Sequence, residues 1–128
     1  MPVGCHDILA DAERILEKAG TEVQFRNVIG RAYYACYHRA TAFHLQLPSP
    51  GQATDKGGVH KQLSDALANP TVKDADLARK SKQLGYMCRD LHFQRVGADY
   101  SLEGQVCRQH AEQALAQARR LFGLAESA

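Results

Sequence analysis

The sequence lacks the long apolar runs that a membrane protein needs. No window approaches the ~18 consecutive apolar residues of a membrane-spanning helix. Near the N-terminus, Asp, Glu and Arg interrupt every short apolar run, unlike a signal peptide. We therefore expect a cytoplasmic protein. A chain of 128 residues can form one core but not two, which predicts a single domain over residues 1–128.

Closely spaced cysteines are also missing. The four cysteines, at positions 5, 36, 88 and 107, form no CxxC pair, the spacing typical of zinc sites and redox centres. Cys88 and His92 lie four residues apart and could contact one metal ion, but this pair is weak evidence for a metal site. We expect free thiols, no metal and no cofactor.

The chain has little net charge of either sign. A net charge of +2 is too small to indicate nucleic-acid binding by itself, so an anionic ligand would have to be recognised by locally clustered cations. Arginine outnumbers lysine by ten to six. Arginine can form planar bidentate contacts with phosphate that lysine cannot, although it also forms ordinary salt bridges.

Strand alternation is absent as well, and apolar residues recur at helical spacing instead. The exception is the segment 48–58, whose prolines and glycines predict a loop. The predicted fold is all-α, an up-and-down bundle of four main helices plus one short helix. The predicted helices span residues 6–19, 21–47, 59–69, 72–96 and 102–126.

Capping residues set the predicted helix ends. Gly20 is expected to end the first helix as a C-terminal cap. Thr21 and Gln24 match the capping-box pattern and begin the second helix. Gly97 is expected to end the fourth helix, and Ser101 to cap the last one.

The second helix has two faces of different character. One is apolar and predicts a buried stripe of Phe25, Ile29, Ala32, Cys36, Ala40, Phe43 and Leu47. The other brings together polar and aromatic groups able to hold a phosphate or a partner. Its members are Asn27, Arg31, Tyr34, His38 and Thr41.

Three segments resemble, in order, the motifs of the HEPN domain family (higher eukaryotes and prokaryotes nucleotide-binding). They are GRAYYACYHRATAF at 30–43, GVHKQLSDAL at 58–67 and RVGADY at 95–100. The resemblance implies a helical bundle. It also implies one of several functions, because the family includes ribonucleases, toxins paired with nucleotidyltransferase antitoxins, and members without catalysis.

The catalytic pair that the resemblance implies is not intact in the expected helix. In ribonucleases of the family, four to six residues separate an arginine from a histidine, and no histidine stands five to seven positions after Arg89 or Arg95. The segment RDLHFQR instead places Arg89, His92 and Arg95 at three-residue steps. His92 as a base and the arginines as phosphate ligands form the candidate catalytic set, and a solvated surface histidine is the alternative.

Arg31 and His38 match the catalytic spacing numerically but belong to the second helix. We interpret them, with Tyr34, as packing or interface residues. If Arg31 faces the interior it needs an acidic partner, and Asp99 is the candidate. Such a pair would make Arg31, Tyr34, His38, Asp99 and Tyr100 a set of structural motif residues.

The fourth helix carries a stripe on which cations and aromatic rings alternate. Its members are Arg79, Lys82, Tyr86, Arg89 and Phe93. The rings could stack bases while the cations hold phosphates. They could instead bury against a second copy of the chain, with the cations at the rim, and this interpretation is preferred.

Two functional hypotheses follow from the resemblance. In the first, the protein is a homodimer that acts on or beside RNA or nucleotides, as a metal-independent ribonuclease of a toxin–antitoxin or defence system. In the second, it is an inactive interaction module that binds a partner protein such as a nucleotidyltransferase.

Overall fold

The computed structural model describes residues 2–51 and 57–126. Within these ranges it contains five α-helices and no strand, which confirms the predicted all-α bundle with one short helix. None of the described helices combines the length and the apolar character needed to cross a membrane. The helices are α1 (Cys5–Lys18), α2 (Glu22–Leu45), α3 (Val59–Ala68), α4 (Ala75–Tyr100) and α5 (Arg108–Glu126).

Helix α2 lies at the centre of the bundle. It packs against α1, α4 and α5, while α3 packs mainly on α4. The predicted stripe of α2 is buried from Ile29 to Leu47, and Phe25 at its start is half-buried. The opposite edge is exposed at Asn27, Arg31 and Tyr34, which leaves those side chains available to a ligand.

The connection between α1 and α2 contains one confirmed cap and one correction. The amide of Gln24 donates to Thr21 Oγ1 over 3.3 Å, and Gln24 Oε1 accepts from the amide of Thr21 over 3.1 Å, so the capping box is formed. The predicted role of Gly20 is wrong, because Ala19 caps α1 in an extended conformation. The amide of Gly20 instead donates to Gln24 Oε1 over 2.7 Å and so belongs to the start of α2.

The predicted ends of the last two helices are also wrong. Helix α4 continues through Gly97 to Tyr100, and Ser101 is its C-terminal cap rather than the N-terminal cap of α5. Helix α5 begins only at Arg108. A glycine weakens a helix by about 1 kcal/mol. Tertiary contacts hold this turn in the helical conformation despite that cost.

Those contacts come from Arg26, a side chain that is only 6% exposed. Its Nε donates to Glu22 Oε2 over 3.1 Å. Its two terminal nitrogens donate to backbone carbonyls at and beyond the end of α4, so a buried guanidinium takes the place of water there. The acceptors are the carbonyl oxygens of Gly97 (3.4 Å), Ala98 (2.8 Å), Ser101 (3.2 Å) and Gly104 (2.6 Å).

Of the predicted loop 48–58, residues 48–51 and 57–58 are non-helical as expected, and residues 52–56 lie outside the described residues. The first part is tied to the start of the α3–α4 connection, where the hydroxyls of Ser49 and Thr71 lie 2.6 Å apart. Gly57 has a φ of +92°, a left-handed conformation that glycine adopts without strain.

Helix α3 lies unusually close to α4 at Gly85. A Cβ atom at this position would lie 2.9 Å from the amide nitrogen of Ala68 and 2.9 Å from the carbonyl oxygen of Ser64. Nearby, the buried Ser81 hydroxyl donates to the carbonyl oxygen of Leu67 over 2.7 Å. The small residues of α4 therefore allow the second half of α3 to approach, and this approach fixes where α3 lies on α4.

We expect Gly85→Ala to lower the free energy of unfolding by about 1–3 kcal/mol, because the added methyl group would meet backbone atoms that move only with the whole of α3. Gly123→Ala in α5 is the matched control, because a Cβ there meets no atom of the described residues within 4 Å. The control should gain about 0.5–1 kcal/mol from helix propensity. Urea denaturation measures both, and a Gly85→Ala protein as stable as the control would contradict the close approach.

Candidate active site

Four rings meet where α2, α3 and α4 come together, and we refer to Tyr33, Tyr37, His60 and His92 as the aromatic–histidine cluster. The imidazoles of His60 and His92 are stacked, with centroids 4.8 Å apart and planes inclined by 23°. The ring of Tyr33 lies 5.4 Å from His60 and 5.2 Å from His92. The ring of Tyr37 lies 4.9 Å from His60. Two histidines from different helices thus share one small site.

Helix geometry places each of these side chains. Tyr33 lies on the buried side of α2 and is 2% exposed, while its neighbour Tyr34 points outward. His60 lies in the first turn of α3, the helix whose position depends on Gly85. His92 follows the buried Leu91 on α4, at the edge between the core and the surface. Both imidazoles are half-buried as a result.

The Tyr33 hydroxyl lies 2.6 Å from Nδ1 of His60. Burial, followed by the nearby Cys88 thiol, raises the pKa of Tyr33 far above its usual value, so the phenol keeps its proton at physiological pH. The contact occupies Nδ1 of His60 and orients the ring. Nε2 of His60 is therefore the nitrogen left for a ligand.

Both histidines are less basic than a histidine in water. Burial lowers the pKa of His60, and His92 and Arg95 lower it further. Burial likewise lowers the pKa of His92, with a second contribution from Arg95. A low-dielectric site next to a fixed cation disfavours the imidazolium form, so both rings are neutral at neutral pH.

The nitrogens of His92 have no protein partner in residues 2–51 and 57–126. In the same part of the chain, Nδ1 of His44 is the one buried side-chain nitrogen or oxygen without a hydrogen bond. The unbonded nitrogens of His92 are therefore not sealed in the core, and they are accessible to solvent. A neutral imidazole with a free nitrogen can accept a proton from a bound molecule.

The predicted catalytic set of Arg89, His92 and Arg95 is partly assembled. Arg95 follows His92 by three residues on α4, so the two side chains are neighbours on one face of the helix. The Nε of Arg95 donates to Asp99 Oδ2 over 2.9 Å. Arg89 turns towards α3, where Nη2 donates to Asp65 Oδ1 over 3.2 Å. Arg95 therefore lies at the cluster, and Arg89 stands on the α3 side of it.

The predicted buried pair of Arg31 with Asp99 is not formed. Arg31 and Asp99 are both exposed, and the partner of Asp99 is Arg95. The buried arginine of α2 is Arg26, which lies five residues earlier and on another side of the helix. The sequence could not distinguish the two arginines, because each stands next to apolar residues.

The other predicted motif residues of α2 and α4 lie at the surface. Tyr34 is 44% exposed and meets His38 edge to face, with centroids 4.6 Å apart. Tyr100 is 72% exposed at the last turn of α4. These three side chains do not hold the core together.

The predicted stripe of Arg79, Lys82, Tyr86, Arg89 and Phe93 is exposed along its whole length. Phe93 is 78% exposed and Tyr86 56% exposed, and the Arg89 guanidinium carbon lies 5.8 Å from the centre of the Tyr86 ring. The position is as predicted, and the role of the stripe in binding RNA or a second copy stays a prediction.

Sequence reasoning missed His60, Tyr33 and Tyr37 as site residues. His60 stands 32 positions before His92 in the printed sequence, and no spacing rule connects residues on separate helices. The available signal was its presence in GVHKQLSDAL, one of the three segments that resemble the HEPN family.

Metal chemistry has no donor set in the described ranges. They contain no group of three or more His, Cys, Asp or Glu side chains that could hold a metal ion. All four cysteines are free thiols. Burial, followed by nearby thiols, raises the pKa of Cys36, and burial raises that of Cys88 to about 12, so neither of these is a thiolate near neutral pH.

Comparisons of the chain with protein-family models, with curated proteins and with solved structures found no match. The aromatic–histidine cluster and the sequence motifs around it are therefore the basis for inferring a function.

Proposed function

We propose that the protein is a HEPN-like endoribonuclease that cleaves single-stranded RNA without a metal ion, with His60 and His92 as its acid–base pair. The observation that carries the proposal is the stacking of these two half-buried imidazoles, 4.8 Å apart, beside Arg95. Paired imidazoles can move a proton to and from neighbouring oxygens of one phosphodiester.

The proposed reaction is a transesterification. The neutral imidazole of one histidine takes the proton of a ribose 2′-hydroxyl, and the 2′-oxygen forms a bond to phosphorus. The bond from phosphorus to the 5′-oxygen breaks, and the other histidine, in its imidazolium form, gives its proton to that oxygen. The products are a 2′,3′-cyclic phosphate and a 5′-hydroxyl, so no water or other reactant enters this step.

Arg95 supplies the positive charge that this reaction needs. Negative charge grows on the non-bridging phosphate oxygens in the transition state, and a fixed guanidinium stabilises it without reorganisation. Asp99 holds Arg95 through Nε, which leaves its terminal nitrogens for the phosphate. Arg89, paired with Asp65, is placed to contact the RNA backbone on the α3 side.

The resemblance to the HEPN family supports the biological setting of the proposal. It favours a cytoplasmic homodimer formed through the long helices, in a toxin–antitoxin or defence system with a nucleotidyltransferase-like partner protein. In such a dimer the stripe with Tyr86 and Phe93 would supply the contact between copies, because exposed rings with a cationic rim are typical of interfaces.

Cleavage should persist in a metal chelator and be fastest below pH 6.5, the usual pKa of histidine. One imidazole must be neutral and the other protonated, so the rate peaks between their two pKa values. Because burial lowers both values, the peak lies on the acid side of 6.5. Rates of cutting of a fluorescent single-stranded RNA across pH, with chelator present, measure this. An optimum above 6.5 would contradict the pair as acid and base, and intact RNA at every pH would remove the ribonuclease proposal.

A second candidate function, the interaction module, is favoured by the surface of α4. Tyr86, Phe93 and Tyr100 recur every seven residues, so the three exposed rings lie along one side of the helix. The two arginines of the predicted catalytic set, Arg89 and Arg95, already form ion pairs with Asp65 and Asp99, so neither needs an RNA phosphate as its partner. A stable complex with a partner protein, lost on Phe93→Ser and accompanied by uncut RNA, would favour this function over the first.

A further inference from the structure

A groove lies beside the aromatic–histidine cluster, between α1, α2 and α4. Its volume is about 540 Å³, and Arg95 belongs to its wall. Arg95 is therefore shared by the cluster and the groove. A molecule that reaches the histidines along the surface of α2 would pass through this groove.

The floor of the groove is the exposed edge of α2, where Asn27, Arg31 and Tyr34 surround Gly30. Arg31 makes no hydrogen bond or ion pair with any of the described residues and is exposed. Its guanidinium can therefore bind an anion without first breaking a contact. A phosphate on Arg31 would receive planar paired hydrogen bonds from its guanidinium, while Arg95 in the wall of the groove adds positive charge and keeps its terminal nitrogens for the scissile phosphate.

The other floor residues suit a nucleobase. Tyr34 is 44% exposed, and its ring lies nearly perpendicular to that of His38. A base can therefore stack on the exposed part of the Tyr34 ring. The Asn27 amide can both donate to and accept from the edge of a base. Carboxylates of Asp11 and Asp99 also line the groove, so a phosphate fits only near the two arginines.

We propose that this groove binds one nucleotide of single-stranded RNA next to the scissile bond, with its phosphate on Arg31 and its base on Tyr34 and Asn27. This inference rests on the proposed ribonuclease function and names the site that holds the substrate strand. The exposed polar and aromatic edge of α2, which does not pack in the bundle, then has a role in binding RNA.

The test measures binding separately from cleavage. A fluorescein-labelled single-stranded RNA is titrated with the His92→Phe protein, which should cut it too slowly to affect the titration, and fluorescence anisotropy gives the Kd. Arg31→Ala in this background should weaken binding about tenfold, the loss of one charge-assisted contact. It should also flatten the slope of log Kd against log salt by about 0.7, the value for one phosphate on a single strand.

Two further variants distinguish a filled groove from a damaged fold. Gly30→Ala places a methyl group on the floor, where its Cβ lies 3.7 Å from Asp99 Oδ1, an ordinary contact. This variant should bind RNA more weakly and yet be more stable to urea, because alanine favours the helix. Arg119→Ala, which removes an exposed arginine of α5, should change Kd less than twofold, a surface-charge effect of a few tenths of a kcal/mol.

An Arg31→Ala protein that binds RNA as the Arg119→Ala protein does overturns this inference, as does a parent protein with no measurable RNA binding. Cleavage assays with otherwise unsubstituted protein keep the two proposals apart. If the RNA is cut and Arg31→Ala leaves RNA binding unchanged, the groove proposal is wrong and the ribonuclease proposal is not. If the RNA binds in the groove and is never cut, the ribonuclease proposal is wrong and the groove proposal is not.

Discussion

Replacing Arg26 with alanine should lower the free energy of unfolding by about 2–4 kcal/mol, a large part of the stability of a domain this size. The guanidinium is 6% exposed and donates to four carbonyl oxygens between Gly97 and Gly104. Alanine would leave the buried carbonyl oxygen of Ala98 without a partner. The other carbonyl oxygens would lose a charged donor and the exposed Glu22 carboxylate its ion pair, which water replaces only in part. Unsatisfied buried groups cost about 1–3 kcal/mol each, and their effects do not simply add.

Urea denaturation followed by circular dichroism measures the effect. Arg26→Lys should recover only a small part of the loss, because an ammonium cannot span the same fan of acceptors. Arg119→Ala is the control, since Arg119 is an exposed arginine paired with Glu13, and it should cost less than about 1 kcal/mol. Equal stability of the Arg26→Ala and Arg119→Ala proteins would show that the turn after α4 does not depend on the guanidinium.

The second large effect concerns His92, whose replacement by phenylalanine should slow RNA cleavage by about 10²–10⁴-fold, the usual contribution of an acid or base. Phenylalanine keeps a flat ring against Tyr33 and His60 but has no nitrogen to carry a proton. His92 makes no hydrogen bond within residues 2–51 and 57–126, so its loss leaves no partner unsatisfied. Stability should change by less than about 1.5 kcal/mol.

The control for this variant is His6→Ala, which removes an exposed histidine of α1 whose ring meets Phe122 of α5 edge to face. Its cleavage rate should match that of the unsubstituted protein. Rates are compared under single-turnover conditions, so that binding and chemistry are not confused. A His92→Phe protein that still cuts RNA at the full rate, with an unchanged pH profile, would remove His92 from the reaction.

Much of the fold could be predicted from the sequence because helices are decided by local periodicity. The apolar stripe of α2 and the Thr21–Gln24 capping box appear in the structure as predicted. The predictions failed at Gly20 and at Gly97, where glycine was expected to end a helix. At Gly20, the Gln24 side chain accepts a hydrogen bond from the glycine amide at the start of α2. At Gly97, the Arg26 guanidinium binds carbonyl oxygens of a helix that continues to Tyr100.

Only part of the candidate site could be predicted from the sequence. His92 and Arg95 lie three residues apart on one helix, so periodicity alone could pair them. His60 and Tyr33 reach the same site from two other helices. Their meeting depends on how closely α3 approaches α4 at Gly85, which no local pattern specifies.

The sequence by itself determined that the chain forms α-helices, which face of α2 is buried, and which arginines and rings lie along α4, because each of these follows from the spacing of residues along one helix. The tertiary structure decided the rest. It buried Arg26 rather than Arg31, paired Asp99 with Arg95, and stacked His60 on His92. These contacts join residues far apart in the chain, and they depend on close packing between helices, which is settled only when the whole bundle is assembled.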